Sequence, residues 1–445
     1  MVVAFSGAFL PTVALYVAIG VYLPQFFASH IGLSLAAVGG AFAIVRGMDM
    51  VIDPLLGIAM DRTRTRFGRY RVWLVAGAPV LMISAAALFM APKGVGQLYL
   101  IGWLLVLYLG YSMLLLAHSA WTATLATNYY ERSRVFGIQA VAGVVGAIAI
   151  LLIPEISSRM GQTNAQAVGA MGWFLVIATP LLVALAIWRT PEHITPDVEG
   201  AAPFRLRDYL TLLARPSLLR LLLADLALSL GPGWMSALYI FFFTGSRGFT
   251  VESASILLGI YVMAGLAGAP ATSWLARPLG KHVTLMITTT AYSLGLCCVM
   301  LTPKGDMWAA APVLFWCGFM AAGFNFMTRA MLADVGDEVR LDGGKERVSL
   351  LYAFANFTAK LAGAASIGLT FTVLAGLGYD ATPGATNSPA AIHGLEVAFL
   401  AGPIFFVMLG GACFIGYKLD ARKHAEIRRQ LDERDALAER AAALP

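Results

Sequence analysis

The sequence has little charge for its length and almost no cysteine. Only 13% of its 445 residues are Asp, Glu, Lys or Arg, whereas 59% are hydrophobic. Such a chain has too little polar surface to cover a water-soluble globule of this size. The 4 cysteines lie in apolar stretches without metal-ligand spacing, which predicts buried thiols rather than a disulfide framework or a zinc site. The composition therefore places the chain in a lipid bilayer.

Several functional classes lack their sequence signals. The net charge of +6 does not indicate a nucleic-acid partner, because most basic residues stand between apolar runs. We find no nucleophile paired with a base, no metal-ligand cluster and no phosphate-binding glycine loop, so neither an enzyme nor a cofactor is expected. The opening MVVAFSGAF lacks a basic n-region, which predicts a retained helix rather than a signal peptide.

Long apolar runs predict about 12 membrane spans, since roughly 20 residues cross a hydrocarbon core. In chain order, the predicted spans 1 to 12 are 4–27, 35–60, 72–91, 97–127, 135–157, 167–188, 217–243, 251–276, 283–302, 307–333, 350–375 and 392–417. Arginine and lysine concentrate in alternate loops, most densely in DRTRTRFGRYR after span 2. The positive-inside rule then puts both termini in the cytoplasm of a plasma membrane, or of an inner membrane in a bacterium.

A long polar interruption divides the spans into two sets of six. It predicts an N-terminal bundle at 1–188, a cytoplasmic linker at 189–216, a C-terminal bundle at 217–417 and a cytoplasmic tail at 418–445. Two six-helix halves joined by a long central loop indicate an all-α membrane protein with the major facilitator fold. We expect a monomer surrounded by membrane lipid.

Three charged residues lie inside span 2. Arg46, Asp49 and Asp53 stand at positions i, i+3 and i+7 and share one helix face. Each charge costs about 2.5–3.5 kcal/mol near the bilayer centre, so this face is expected to point to a polar interior, where carboxylates mark ion or proton pathways. The alternative is a closed Arg46–Asp49 salt bridge that only holds helices together, although one arginine cannot neutralise two aspartates. Pro54 adds a free acceptor, the carbonyl of Met50.

Other intramembrane charges give weaker signals. Lys360 in span 11 could approach the aspartates from the second half and release them when a cation or proton arrives; the alternative is that it reaches towards the headgroups. Arg329 is expected to reach the interface or to pair with Asp334. Asp225 and Glu155 are lesser candidates, for which an interfacial position is the simpler interpretation.

Two segments carry a family resemblance. The run RGMDMVIDPLLGIAMDRTRTRFGRYRVW at 46–73 and the run ADVGDEVRLDGGKERVSLLYAFANFTAK at 333–360 resemble the glycoside-pentoside-hexuronide:cation symporters of the major facilitator superfamily. The resemblance implies cation-coupled symport of a sugar or glycoside by alternating access. It implies that Asp49 and Asp53 form the cation site, with Lys360 as the matching lysine and Arg46 in support. It also implies a cytoplasmic charge network that contains Asp334, Asp337 and Arg347.

The departures from the family pattern bear on the cation and the solute. Val13 and Ala117 stand where sugar permeases of the family carry aspartates, which argues against galactoside recognition of that type. Ile52, Leu114 and Asn356 stand where oxygen-bearing or hydroxyl neighbours of a sodium ion are expected. A proton is therefore favoured as the coupling ion, with Na⁺ possible at the two aspartates.

The solute itself is less constrained. A lysolipid or another amphipathic solute is the alternative to a sugar, and a non-transport membrane sensor is a remote one. The candidate solute contacts share a polar or aromatic side chain in a predicted span: Tyr22, Gln25, His118, Trp121, Gln139, Trp234 and Asn356. His118 could bind solute, relay protons or bond to a neighbouring helix, and Trp234 has interhelical packing as its simpler interpretation.

Overall fold

The chain is all-helical in the part that the structure covers. The computed structural model describes residues 1–63, 65, 67–125, 129–192, 215–343, 348–382 and 385–442. Within these ranges, 12 helices are long and apolar enough to cross a membrane, and no strand occurs. The predicted fold class is confirmed.

The helices have the following bounds. Span 1 consists of the α-helical segments Val2–Gly7, Phe9–Val17 and Leu23–Phe26 and the π-helical turns Ala18–Tyr22 and Phe27–Ile31. Spans 2 to 6 are Leu35–Arg62, Arg71–Phe89, Gln97–Leu125, Tyr129–Arg159 and Asn164–Arg189. Span 7 is Pro216–Phe241 with the π-helical turn Phe242–Ser246, and spans 8 to 12 are Val251–Leu279, Lys281–Val299, Met307–Gly343, Val348–Gly376 and Pro389–Ala412. A tail helix, Ala421–Ala442, follows. The start of span 1, the ends of the even-numbered spans and the tail helix lie at one end of the bundle, called here the basic end.

The helices pair in the same way in both halves. Span 1 packs on span 5 and span 2 on span 4, as span 7 packs on span 11 and span 8 on span 10. Between the halves, span 2 meets span 11 and span 5 meets span 8. The pair formed by spans 8 and 10 depends on glycine: a Cβ at Gly268 would lie 2.1 Å from the Phe319 carbonyl oxygen, and one at Gly318 would lie 2.0 Å from that of Tyr261.

Span 1 departs from regular α-helix at its centre. Pro24 has no N–H to donate to the carbonyl of Gly20. Ser236 on span 7 donates its hydroxyl to this carbonyl oxygen, at 3.4 Å. Irregular backbone is tolerated at membrane depth where it faces protein or a cavity, and π-helical turns are frequent at functional sites.

Span 10 is longer than the apolar run predicts. It continues past 333 to Gly343 because its charged extension finds partners outside the apolar bundle. Lys281 Nζ lies 2.7 Å from Asp334, and Arg428 of the tail helix lies 3.2 Å from Asp337.

The predicted linker lies largely outside the described residues, but its beginning is fixed. The Glu192 carboxylate accepts hydrogen bonds from the backbone N–H groups of Arg69 and Tyr70, at 2.7 and 2.8 Å. These groups stand at the start of span 3, where a negative charge complements the helix dipole. The end of span 6 is thereby tied to the basic loop after span 2.

Candidate functional site

A lysine from one half bridges two aspartates of the other. Lys360 Nζ lies 3.0 Å from Asp49 Oδ2 and also contacts Asp53 Oδ2. The aspartates are one turn apart on span 2, so both carboxylates project towards span 11. The sequence predicted this approach, and the structure brings the three residues together.

Asp49 is the more enclosed carboxylate. Only 2% of it is exposed, and the Ser112 hydroxyl on span 4 donates to its Oδ1 at 3.1 Å. Arg46 reaches the same carboxylate more loosely, with Nη1 at 3.9 Å from Oδ2. The Arg46–Asp49 pair foreseen as the alternative is thus present, but it belongs to a larger cluster that Lys360 completes.

Asp53 keeps one oxygen free of hydrogen bonds. Its Oδ1 is buried and has no partner among the residues that the structure describes. The Asp53 side chain is 16% exposed, compared with 2% for Asp49. Of the two carboxylates, Asp53 is the more exposed one and the one with an oxygen still available to a proton or cation.

Arg46 connects this cluster to a cavity between the halves. Its guanidinium lies over the ring of Tyr108, with Cζ 4.3 Å from the ring centroid, which favours a cation–π contact. Arg46 and Tyr108 both line a cavity of about 450 Å³. This volume lies in the range of small-molecule sites. A ligand in the cavity would therefore contact a residue that also touches the carboxylate cluster.

Small, aromatic and hydroxyl-bearing residues form the cavity wall. Tyr16, Tyr108 and Tyr261 supply rings, and Ser229, Ser236, Asn325 and Ser366 supply polar groups. Glycines of spans 1, 7, 8, 10 and 11 keep the backbone close to the cavity. Arg46 is the one charged side chain among the described residues of the lining.

The predicted solute contacts do not line this cavity. Three of them bond elsewhere: Tyr22 donates to Ser255 at 2.6 Å, Gln139 to Thr122 at 2.9 Å, and Trp234 to the Ala398 carbonyl at 2.9 Å. His118 lies 3.0 Å from the Phe5 carbonyl oxygen and stacks on the Phe5 ring, while Trp121 meets that ring edge-on. Asn356 is exposed. Their assignment to the solute stays a prediction.

Gln25 lines a second cavity, at the end away from the basic loops. This vestibule, of about 980 Å³, lies between loops of both halves and includes Lys93 and Glu252. Asp380 is also in its wall, and hydrogen bonds from the backbone N–H and the hydroxyl of Thr382 lower the pKa of the Asp380 carboxyl.

Close helix contacts separate the vestibule from the central cavity. A Cβ at Gly39 of span 2 would lie 2.9 Å from Phe371 Cβ, and one at Gly368 of span 11 would lie 2.9 Å from Ala43 Cβ. The two halves therefore touch backbone to backbone at this level.

We predict that Gly368→Leu forces spans 2 and 11 apart. Overpacking of this kind costs about 1–3 kcal/mol, enough to change a conformational equilibrium by about 5- to 150-fold. Spin labels at positions 93 and 252, which both line the vestibule, should move to longer separations. Gly376→Leu on the same span is the control, because nothing lies within 4 Å of a Cβ there. Equal distances in both variants would contradict the prediction.

The predicted charge network at the basic end is partly described. Asp334 pairs with Lys281, and not with Arg329, among the described residues. Asp337 pairs with the tail helix, through His424 at 2.9 Å and Arg428 at 3.2 Å. Arg347 lies outside the described residues. A role of this network in holding one conformation stays a prediction.

Sequence reasoning missed two polar residues near the site. Ser112 and Tyr108 lie four residues apart on span 4 and face Asp49 and Arg46, but span 4 is apolar on every face and its pattern does not reveal the inward one. Asp225 was a lesser candidate from the sequence, with an interfacial position as the simpler interpretation; the structure buries it, with 3% of its surface exposed.

Comparisons with known proteins agree on a single class. The family described as MFS/sugar transport protein matches residues 5–421. The isoprimeverose transporter of Lactiplantibacillus pentosus is 25% identical over 439 residues, which cover 95% of this chain and 89% of that protein. The lactose permease of Leuconostoc lactis is 25% identical over 457 residues (97% and 70%), and the glucuronide carrier protein homolog of Escherichia coli strain K12 is 22% identical over 422 residues (93% and 91%).

Solved structures show the same fold. The nucleoside transporter NupG superposes with a TM-score of 0.67 at 13% identity, covering 94% of this chain and 98% of NupG. A bacterial homolog of the human lysosomal transporter Spinster, inward-facing and unoccupied, gives 0.65 at 14% identity and 96% coverage of both chains. At this identity the likeness shows the fold alone. These relatives and neighbours are transporters, not enzymes.

Proposed function

The chain belongs to the MFS/sugar transport protein family and to its glycoside-pentoside-hexuronide type of symporters, and from this premise we propose a proton-coupled sugar or glycoside symporter. The observation that carries the proposal is the Lys360 bridge, because it joins the two halves through charges that a cation can replace. Transport by alternating access then requires that the bridge breaks and re-forms once per cycle.

Charge exchange at Asp53 supplies the coupling step. While both carboxylates are ionised, the Lys360 ammonium is attracted to both and holds span 11 against span 2. A proton on the free Asp53 Oδ1 removes one of these attractions. The weakened bridge lets the halves move relative to one another, and deprotonation restores it.

The oxygen atoms around the site favour a proton over sodium. Asp49, Asp53 and Ser112 supply the oxygens, while Lys360 occupies the space between the carboxylates. Ile52 supplies none beside Asp53. A metal cation needs several oxygen ligands at once, whereas a proton needs one carboxylate oxygen.

The cavity wall supports a sugar or glycoside as the solute. Tyrosine rings can stack on the apolar faces of a sugar, while serine and asparagine groups can bond to its hydroxyls. The relatives are named for isoprimeverose, lactose and glucuronide. These relatives do not favour a lysolipid.

The proposed orientation follows from charge. The basic end, with both termini, faces the cytoplasm of the plasma membrane or bacterial inner membrane. The tight contacts around Gly39 and Gly368 hold spans 2 and 11 together on the outer side. The transporter acts as a monomer.

Counterflow in proteoliposomes tests the proposal. Vesicles preloaded with isoprimeverose, lactose or a phenyl glucuronide should take up the labelled form of the solute that is transported, and lysophosphatidylcholine should not exchange. Protein-free liposomes set the background. Failure of every sugar and glycoside in a broad panel, or exchange of the lysolipid alone, would overturn the assignment of the solute.

A further inference from the structure

Asp225 is a buried carboxylate that the proposed coupling step does not use. It lies on span 7, one helical turn towards the basic end from Leu228 and Ser229, which line the central cavity. Its side chain is only 3% exposed, and no ion pair involves it in the described part of the chain. An isolated carboxylate is costly in such a place unless hydrogen bonds or a proton compensate it.

Two threonine hydroxyls are its partners. Thr358 Oγ1 on span 11 lies 2.7 Å from Asp225 Oδ2, and Thr328 Oγ1 on span 10 lies 3.1 Å from Asp225 Oδ1. Each hydroxyl also has a second acceptor within reach on its own helix. Thr358 lies 2.9 Å from the Ala355 carbonyl oxygen, and Thr328 lies 3.1 Å from that of Asn325.

This arrangement satisfies the carboxyl group in both protonation states. A hydroxyl has one hydrogen to donate and can also accept. When Asp225 is ionised, both hydroxyls can point their hydrogens at it. When Asp225 is protonated, its O–H can donate to one hydroxyl, which turns its own hydrogen to the carbonyl of its helix. Neither state leaves a buried polar atom unpaired.

The charged groups on the neighbouring helices are few. Arg220 on span 7 bonds to the carbonyls of Ile415 and Gly416. Span 10 brings Arg329 next to Thr328 and, nearer the basic end, Glu338, which accepts a hydrogen bond from Ser217 of span 7 at 2.6 Å. Span 11 brings Lys360, whose ammonium is engaged with span 2. Span 12 has His393 and Glu396, near its start at the vestibule end of the bundle. Lys360 is thus the cation on span 11 whose position the coupling step changes.

Span 11 connects Asp225 to the coupling carboxylates. Thr358 and Lys360 are two residues apart and face opposite sides of the helix. One binds Asp225, and the other binds Asp49 and Asp53. Any movement of span 11 that follows release of Lys360 therefore also changes the contact between Thr358 and Asp225.

We propose that Asp225 is a second proton-binding site, in the C-terminal half, which gains and releases a proton as span 11 moves with Lys360. The proton is exchanged with solvent that reaches the central cavity. That this proton is used in transport rests on the proposed function. The test observes the proton on Asp225 directly. The inference can therefore fail while the proposed function stands, and the proposed function can fail while the inference stands.

Infrared difference spectroscopy of the reconstituted, full-length protein measures this proton. Titration from acid to alkaline pH should remove a carbonyl-stretch band of a protonated carboxyl group. Asp225→Asn should lack this band. Asn is isosteric and can keep both threonine contacts, so the variant should melt at the wild-type temperature. Thr358→Val keeps the carboxyl but removes one hydrogen bond, and should move the band to higher frequency.

The coupling to Lys360 has its own readout. In Lys360→Met, span 11 loses its ion pairs with span 2, so the contact between Thr358 and Asp225 changes and the band of protonated Asp225 should disappear at a different pH. In Lys304→Met, at an exposed loop, the titration should match that of the wild type. The proposal is overturned if no band depends on Asp225, if its band does not titrate, or if Lys360→Met leaves its titration unchanged.

Discussion

The Asp53→Asn variant should exchange solute across a membrane but should not accumulate it. Asparagine has the shape of aspartate but can neither lose a proton nor carry a charge. Lys360 would keep its contact with Asp49, at 3.0 Å, so the fold and the central cavity should persist. A proton gradient would then have no carboxylate at Asp53 to act on, and internal solute should not rise above the external concentration.

Uphill uptake and counterflow are compared in the same proteoliposomes. Glu155→Gln is the matched control, because Glu155 pairs only with the exposed Arg159 at the far end of span 5, among the described residues. This control should accumulate solute like the wild type. Concentrative uptake by Asp53→Asn would remove Asp53 from the coupling role.

Lys360→Ala should have the second large effect, on both stability and transport. Without the ammonium, Asp49 and Asp53 face each other with only Arg46 and Ser112 nearby. Removal of one partner of a buried ion pair costs about 3–5 kcal/mol. The variant should melt well below the wild type, should recover stability as acid protonates the carboxylates, and should not accumulate solute.

A second substitution separates this explanation from simple loss of packing. Combining Lys360→Ala with Asp53→Asn removes the uncompensated charge. The double variant should therefore have a melting temperature closer to that of the wild type than Lys360→Ala alone has. Lys93→Ala, at an exposed position in the vestibule wall, should change neither property. If the double variant is no more stable than the single one, the charge argument is wrong.

The sequence was sufficient where charge or length leaves one physical solution. Apolar runs fixed the number of spans, because a bilayer allows few alternatives to a helix of about 20 residues. The charges on span 2 and Lys360 could be placed together because each is too costly to face lipid. Asp225 stayed a lesser candidate because the sequence does not show which buried hydroxyls, here Thr328 and Thr358, will meet a carboxylate.

The central cavity was beyond the reach of sequence reasoning. The sequence suggested large polar and aromatic residues, but Trp121, Trp234 and Gln139 fill the spaces between helices. The cavity instead lies where side chains are small, at residues such as Gly233 and Gly318. In spans that are apolar on every face, the hydropathy pattern does not distinguish a residue that faces a cavity from one that packs on a neighbour.

Proton movement that accompanies the solute tests the central claim most directly. Proteoliposomes in weakly buffered medium receive a pulse of the solute identified by counterflow, and a pH electrode follows the outside. The wild type should make the medium transiently alkaline without sodium, and Asp53→Asn should give no such signal while it still exchanges solute. Equal alkalinisation by both proteins at equal exchange rates would contradict the account.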